Sequence, residues 1–564
     1  MTTIETTAAL PTALRARTLC EAFQTTVTER PGQVALRTLH GEVSYTYGEY
    51  ATRVRQLATG LHALGVRRGD TVAVMLVNRP EFHLVDAAAM HLGAVPFSVY
   101  NTSSPEQIAH LFRNAANRVV VTERRFLPNV RAARTPEIEH VVLVDGRDDD
   151  TLTLDDLAGR SAHGFDFEAA WRAVAPDDVV TLIYTSGTTG PPKAVQLTHD
   201  SVLFQCRALA RCIAPTLGGR GISYLPSAHV GDRTLSHYYA SMCLGTEVTA
   251  IADHKQVGEA LVTVRPTRFG GVPRVWEKLK AGLESAGVSD PSRLPEPARA
   301  AVRARIGLDQ VDWCVSSAAP IAPDVLRYFH DLGVPLVEGW GMSECSCFAV
   351  LNPLDANRTG TVGKPLPGVE LRLADDGEML IRAPLVFRGY RGDPEKTAEA
   401  IDADGWLHTG DIAAIDDDGY VRIVDRKKEL IINSAGKNMS PANIEQQLRA
   451  ASPLIAHAVC IGDRRPYNVA LLVLDPETTL RWAAARELPG RSVAEWREQA
   501  PLREALQRAV DAANGALSRV EQIKRFAVLE SEWLPGGVEL TPTMKLRRRP
   551  ILEKYRDEIE GLYA

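Results

Sequence analysis

Residues 184–195 read Tyr-Thr-Ser-Gly-Thr-Thr-Gly-Pro-Pro-Lys-Ala-Val. The stretch gathers the hydroxyls of Thr185, Ser186, Thr188 and Thr189, the glycines Gly187 and Gly190, and the ammonium of Lys193. Glycine frees the backbone for turns in which successive N–H groups converge on an anion. Hydroxyls add donors, and a lysine adds a mobile point charge suited to phosphate. The chemistry these residues suit is the holding of a polyphosphate. A Walker loop is excluded, because it needs Gly-x4-Gly-Lys-[Ser/Thr], whereas Gly187 and Gly190 are three apart and two prolines precede Lys193. A plain Gly/Thr surface turn is the competing reading; the interleaving of donors with Gly and Pro behind an apolar run argues against it.

Two further constellations suit a nucleotide. Glu338-Gly339-Trp340-Gly341-Met342-Ser343-Glu344 follows the apolar run 334–337. Its glycines offer backbone access, its indole a stacking face, and Glu344 a carboxylate for Mg²⁺; taken alone, Trp340 reads equally well as core. Trp406-Leu407-His408-Thr409-Gly410-Asp411 places a carboxylate on an expected tight turn, where it can accept both ribose hydroxyls as acidic residues do in dinucleotide folds.

The elements that must position these groups alternate between strand and helix patterns. Leu57, Leu61 and Leu64 share a helix face with Gly65 as its stop, 71–76 reads as a buried strand, and Pro80 opens the next helix. Strands follow at 96–99 and 119–121, with a helix from Ser104 between them, then a strand at 179–183 and a helix-like segment beginning at 196–199. Segments 145–156 and 285–297 read as loops. Such alternation predicts parallel α/β sheets with sites at the carboxyl ends of the strands. A strand at 419–424 leads into Asp425-Arg426-Lys427-Lys428-Glu429. After it come a helix at 441–450, strands near 456–462 and 469–475, and a long helix from about 501, a compact α+β pattern.

The chain has 564 residues, too long for one core. Its hydrophobic content of 45% and charged content of 24% are ordinary, and a net charge of −6 speaks against a dedicated nucleic-acid binder. Eight scattered cysteines form no Cys-x2-Cys pair, so structural zinc and a disulfide framework are poorly supported. No apolar run approaches a membrane span, and residues 1–18 lack a signal-peptide core. A cytoplasmic protein is expected, with peripheral membrane contact left open.

The 184–195 stretch resembles the signature loop Ser-Gly-Thr-Thr-Gly-x-Pro-Lys-Gly of the adenylate-forming superfamily of acyl-CoA synthetases, adenylation domains and luciferases, with Ala194 in place of the last glycine. Val272-Pro273-Arg274-Val275-Trp276-Glu277-Lys278 and Leu540-Thr541-Pro542-Thr543-Met544-Lys545 are most similar to long-chain or bubblegum-type fatty acyl-CoA synthetases. The resemblance runs in order along nearly the whole chain. It implies an α/β fold: a large N-terminal domain (1–425) of parallel-type sheets packed with helices, and a small mobile C-terminal α+β domain (426–564), hinged near 425–428 at Lys428.

The same resemblance implies the site. The loop from Thr185 to Gly190 and Lys193 would hold ATP, with Thr188 and Glu344 on Mg²⁺. Ala318, Ala319 and Pro320, in a turn where Ser317 replaces the usual glycine, would meet adenine, as would Gly339, Trp340, Gly341 and Met342. Ser343 would reach the α-phosphate, Asp411 the ribose, and Arg426 the ribose or phosphates beside Ile423. Lys545 would be the catalytic lysine and His229 would stand beside the reacting carboxylate. His229, Val230, Trp276 and Gly339 would wall the acyl channel. Gly436, Lys437 and Asn438 would face coenzyme A, while Arg547, Arg548 and Arg549 read as a solvated basic turn or as an attractor of its phosphates. The expected activity is ATP-dependent conversion of a medium- or long-chain fatty acid to acyl-AMP and then acyl-CoA. A carrier-protein thiol as acceptor, an aryl acid as substrate, and a non-catalytic nucleotide-binding regulator are the alternatives.

Overall fold

The structure is a computed structural model, and it describes residues 10–185, 191–432, 438–488, 492–530, 532–541 and 544–564. The apolar run Thr71–Met75 is buried throughout and sits inside an eight-stranded sheet. From one edge the order is Gly389–Tyr390, Lys193–Thr198, Val179–Thr185, Val95–Ser98, Thr71–Met75, Val119–Thr122, His140–Leu143 and Leu152–Thr153. Pairing is parallel from Val179–Thr185 to the Leu152–Thr153 edge and antiparallel at the other edge. Helices follow from local signals. Pro80 occupies the first turn of Pro80–His91, and Ser104 caps Pro105–Ala115 reciprocally with Gln107. Gly65, at φ +89°, closes the helix Tyr47–Ala63 with its own N–H bonded to His62 and that of Val66 to Leu61.

A second sheet runs Arg268–Gly271, Trp313–Ser316 and Leu336–Trp340 in parallel, then Val350–Leu351 and Lys364–Pro365 antiparallel. A third pairs Arg220–Ser223 and Val34–Thr38 on either side of Glu247–Ala250 in parallel, with Ser44–Thr46 antiparallel at its edge. An antiparallel sheet of Glu370–Leu373, Glu378–Arg382, Leu407–Ile415 and Val421–Arg426 carries the chain to residue 426. Beyond it, Ile455–Ile461, Asn468–Leu474 and Ile523–Val528 form a three-stranded sheet. Helices Pro441–Ala451 and Ala500–Gly515 join one apolar cluster with it, and Arg548–Lys554 and Arg556–Tyr563 another. Among the described residues, each buried apolar cluster lies wholly before residue 424 or wholly after residue 430. No helix of the described residues is long and apolar enough to cross a membrane.

Three local expectations are corrected. The helix after the 184–195 stretch begins at His199; Lys193–Thr198 is a strand, antiparallel to Val179–Thr185 with Thr185 opposite Lys193. Buried Val195 and Leu197 alternate there with Gln196 and Thr198, the period of a strand. Segment 145–156 holds the strand Leu152–Thr153 and the start of helix Leu154–Ala158, because Thr153 and Asp156 form a capping box. Likewise 285–297 contains a 3₁₀ turn at Pro291–Arg293 and opens the helix Glu296–Arg305.

Candidate active site

The strand Leu336–Trp340 delivers the second constellation, and a 3₁₀ turn at Ser343–Cys345 follows it. Packing alone requires both glycines. A Cβ on Gly341 would lie 1.6 Å from the Cys347 carbonyl oxygen, and one on Gly339 would meet Leu351 and Phe348 at 2.8 and 3.0 Å. Gly339 is therefore packed from that side by Leu351 and Phe348. The left-handed residue of the preceding turn is Ala318, at φ +75°, one position beyond the Ser317 that replaces a glycine.

Asp411 lies in the strand Leu407–Ile415, not on the tight turn expected of it. The chain deviates locally: Gly410 adopts φ +72°, and its N–H reaches Glu378 at 2.9 Å. Asp411 is buried, accepts the Trp340 indole N–H through Oδ2 at 2.8 Å, and faces Arg426 Nε through Oδ1 at 3.0 Å. Oδ1 takes no hydrogen bond of good geometry. Burial raises the Asp411 pKa, and Arg426, the Trp340 bond and Lys545 oppose that rise. Trp340 is thus both buried and a donor, so the core and site readings of this residue meet in one side chain.

Glu344 is also buried, and its Oε1 accepts the Tyr390 hydroxyl at 2.8 Å. The Lys193 ammonium stands 4.2 Å from the centre of the Tyr390 ring. Tyr390 was not among the expected site residues. Only the fold joins it to Glu344, across 46 positions of sequence. Glu338 is a second omission: it is buried, and desolvation pushes its carboxyl up to about 8.

His229 accepts the Gly231 N–H at Nδ1, 3.0 Å away, which leaves the proton of the neutral ring on Nε2. Burial first, and Lys545 second, lower its pKa to about 4. Lys545 comes from the other side of residue 426. It sits in a tight loop in which its own carbonyl accepts the Thr541 N–H at 2.8 Å and its N–H reaches the Thr541 hydroxyl at 3.0 Å. Lys545 is exposed by surface area, yet the protein atoms around its ammonium strip hydration and lower its pKa. Arg426 lowers it further, while Asp411, Glu344 and Glu429 raise it. Lys545, Arg426, Asp411, Glu344 and His229 therefore share one electrostatic neighbourhood.

Other expectations fare differently. Trp276 is fully buried in the core against Phe269 and Phe329, at ring distances of 5.6 and 5.1 Å, so it does not face a channel. Val230 is buried in the main cluster, with Ile423 packed at its margin. Ser343 is buried and Met342 half-buried beside the core. Ala319 and Pro320 follow Ala318 in an irregular segment. The basic turn is engaged within its own half. Arg548 pairs with Glu429 at 3.1 Å and Glu445 at 2.6 Å, Arg547 donates to the Gly537 carbonyl, and Arg549 pairs with Glu553. Lys428 is exposed. The Lys427 N–H bonds the Gly410 carbonyl at 2.8 Å and its ammonium bonds Glu378 at 2.9 Å, so each neighbour of Lys428 is tied on a different side. Ser186, Gly187, Thr188, Thr189 and Gly190 lie outside the described residues, as do Gly436 and Lys437; Asn438 starts the short strand Asn438–Met439.

A parallel sheet whose strand Leu336–Trp340 leads into the Ser343–Cys345 turn that bears Glu344, with Lys545 supplied from the α+β segment beyond residue 426, fits the fold of adenylate-forming enzymes. Comparison with known proteins agrees. Residues 23–391 match the AMP-binding enzyme family and residues 428–564 its C-terminal domain family, and the chain belongs to the AMP-binding enzyme family. It is 48% identical over 451 residues to fadD11 of Mycobacterium tuberculosis (strain ATCC 25618 / H37Rv), provisionally named a fatty-acid–CoA ligase, covering 73% of this chain and 79% of that one. It is 34% identical over 561 residues to the long-chain-fatty-acid–CoA ligase FadD15 of Mycobacterium bovis (strain ATCC BAA-935 / AF2122/97), covering 92% of each. The fold matches the anthranilate CoA ligase AuaEII in complex with anthranoyl-AMP at a TM-score of 0.78 and 20% identity, over 97% of this chain and 98% of that one.

Proposed function

We propose that this enzyme uses ATP to convert a medium- or long-chain fatty acid to acyl-AMP and pyrophosphate, and then transfers the acyl group to coenzyme A. The relatives named fatty-acid–CoA ligases support the substrate class. The observation that carries the reading is the convergence of Lys545 with Arg426, Asp411, Glu344 and His229.

A carboxylate is already a nucleophile, so the enzyme's task is to align it with the α-phosphate and neutralise charge. Asp411 Oδ1, which faces Arg426 but accepts no hydrogen bond, suits a ribose hydroxyl, while Trp340 fixes the other oxygen and Arg426 opposes the rise in pKa that burial causes. The His229 Nε2–H is a neutral donor directed at the carboxylate or the α-phosphoryl oxygen. Lys545 and Lys193 supply positive charge where negative charge builds up on the phosphates. Glu344, held by Tyr390, fits Mg²⁺, which binds through one or two carboxylates plus substrate phosphates; when present, the ion would neutralise phosphate charge. We place the domain boundary at 425–428, with Lys428 as the pivot that withdraws Lys545 and brings the 436–438 loop to the thiol. Acid-dependent exchange of pyrophosphate into ATP, followed by CoA-dependent thioester formation, tests the proposal. Release of ADP and phosphate instead would overturn it.

A further inference from the structure

A slot opens between the buried helix Arg233–Cys243, which has π geometry, and the strands Arg220–Ser223, Arg268–Gly271 and Trp313–Ser316. Its apolar walls include Ile222, Leu235, Tyr239, Phe269 and Val315, and it has about 40 Å³ of room for the centres of water-sized groups. One charged group lines it. Arg268 is only 8% exposed, and its Nη2 donates to the Thr216 carbonyl. Its Nε and Nη1 are buried without an acceptor. Tyr239, Asp312 and Tyr47 favour its charge through space, but burial outweighs them and lowers its pKa. A guanidinium held in an apolar wall with two unused donors is costly, and such groups call for a partner.

The slot lies behind the site. Gly271 pairs with Ser316, which leads into the 317–320 turn, and Arg268 pairs with Trp313 at the opposite end of the strands. At about 3.3 Å per residue, Arg268 is roughly 10 Å back from Gly271. Leu235 and Ser236 begin the helix that continues from His229 through Val230–Asp232. The end that adjoins the site is apolar, and the far end is cationic.

We propose that the slot receives the far end of the acid and that Arg268 binds a second carboxylate there, so that among medium- and long-chain acids those carrying a terminal second carboxylate are preferred. This rests on the reading of the chain as an acid-activating enzyme. A carboxylate supplies the acceptors that Nε and Nη1 lack, and charge-assisted bonds in a low-dielectric wall are strong.

The test compares acids of equal length ending in methyl, hydroxyl or carboxylate, scored by AMP release with wild type, Arg268→Met and Arg268→Lys. Wild type should favour the diacid by about ten- to a hundredfold in kcat/KM. Arg268→Met should lose that preference through KM, with the methyl-ended acid unaffected, and Arg268→Lys should regain part of it. In thermal melting without ATP, the diacid should raise the midpoint of wild type but not of Arg268→Met. Equal use of methyl-ended and carboxylate-ended acids by wild type, an undiminished preference in Arg268→Met, or a hydroxyl serving as well as a carboxylate would each overturn the inference while leaving acid activation standing. If no acid releases AMP, acid activation falls; a diacid-dependent melting shift confined to wild type would still identify the slot as a carboxylate site, and its absence would remove that too.

Discussion

The Tyr390 hydroxyl donates to Glu344 Oε1 across 2.8 Å, and the same phenol ring presents its face to the Lys193 ammonium at 4.2 Å. One aromatic side chain thereby fixes the carboxylate assigned to Mg²⁺ and a lysine assigned to the phosphates. Tyr390→Phe keeps the ring and removes the bond, which is worth about 1.5–3 kcal/mol when one partner is charged. Pyrophosphate exchange should fall about ten- to a hundredfold, with a higher Mg²⁺ requirement. Glu344→Gln should fall at least as far, and the double variant should lose less than the sum, because both changes break one unit. Full additivity in that cycle would mean that the bond has no part in the reaction.

Lys545→Ala should depress adenylation by about 3–4 kcal/mol, the scale of losing one preorganised donor. Thioester formation from supplied acyl-AMP should be largely spared. Lys428→Pro should show the reverse selectivity. Assaying each half-reaction separately decides the matter: equal losses in Lys545→Ala with the fold intact would refute the division of labour.

Gly341→Ala should lower stability with little specific effect on nucleotide affinity, since its Cβ would be driven into the Cys347 carbonyl at 1.6 Å. Overpacking of this kind costs about 1–3 kcal/mol or more. Urea unfolding and ATP titration of the same protein separate the two effects; a normal unfolding midpoint with weakened ATP binding would restore the reading of Gly341 as nucleotide access.

Opposed buried groups shape the pH dependence of stability. His91, His229 and His457 are depressed to about 4 and His199 to about 3, chiefly by burial. Between those values and the ordinary 6.5, the unfolded chain binds the extra protons, so these histidines make stability fall as pH drops. Asp232 and Glu338 are raised to about 7 and about 8, again by burial. There the folded state holds the extra protons, and their contribution is lost as pH rises through 7 and 8. Below 6.5 these four histidines outnumber these two carboxyls; above it the histidines no longer contribute and the two carboxyls still do. Thermal midpoints measured from pH 4 to 9 should peak near pH 6–7, and a monotonic rise to pH 9 would contradict this.

Much of the framework was legible because its signals are local. Pro80, the Ser104 cap, the Gly65 stop and the apolar run at 71–75 each act within one turn or strand. The strand Lys193–Thr198 was not legible because its antiparallel partner, Val179–Thr185, is a tertiary neighbour and its own alternation spans only six residues. The family resemblance singled out Trp340, Glu344, Asp411 and Lys545, and the fold brings them together through the Trp340–Asp411 bond and the charges around Lys545. The resemblance could not single out Tyr390, whose importance lies in a bond made by tertiary pairing, nor the unpartnered donors of Arg268, whose neighbours come from four separate strands and a helix. Trp276 shows the converse failure: a family motif placed it near the acyl chain, while the side of the helix Pro273–Ser285 that it occupies turns it into the core.

The separation of the apolar clusters on either side of residues 424–430 has a thermodynamic consequence. The swing proposed above for the C-terminal domain would exchange polar bonds: those of the Glu429 and Leu430 N–H groups to the Arg426 carbonyl, those of Asp425 to Ser440 and Ala442, and the pairing of Arg274 with Asp475. Water can replace each of them, and among the described residues no apolar cluster shared across the boundary has to open. The interconversion should therefore carry only a small heat-capacity change, so that its equilibrium drifts little with temperature. Ionic strength, which screens the partly exposed Arg274–Asp475 pair, becomes the variable that tunes it.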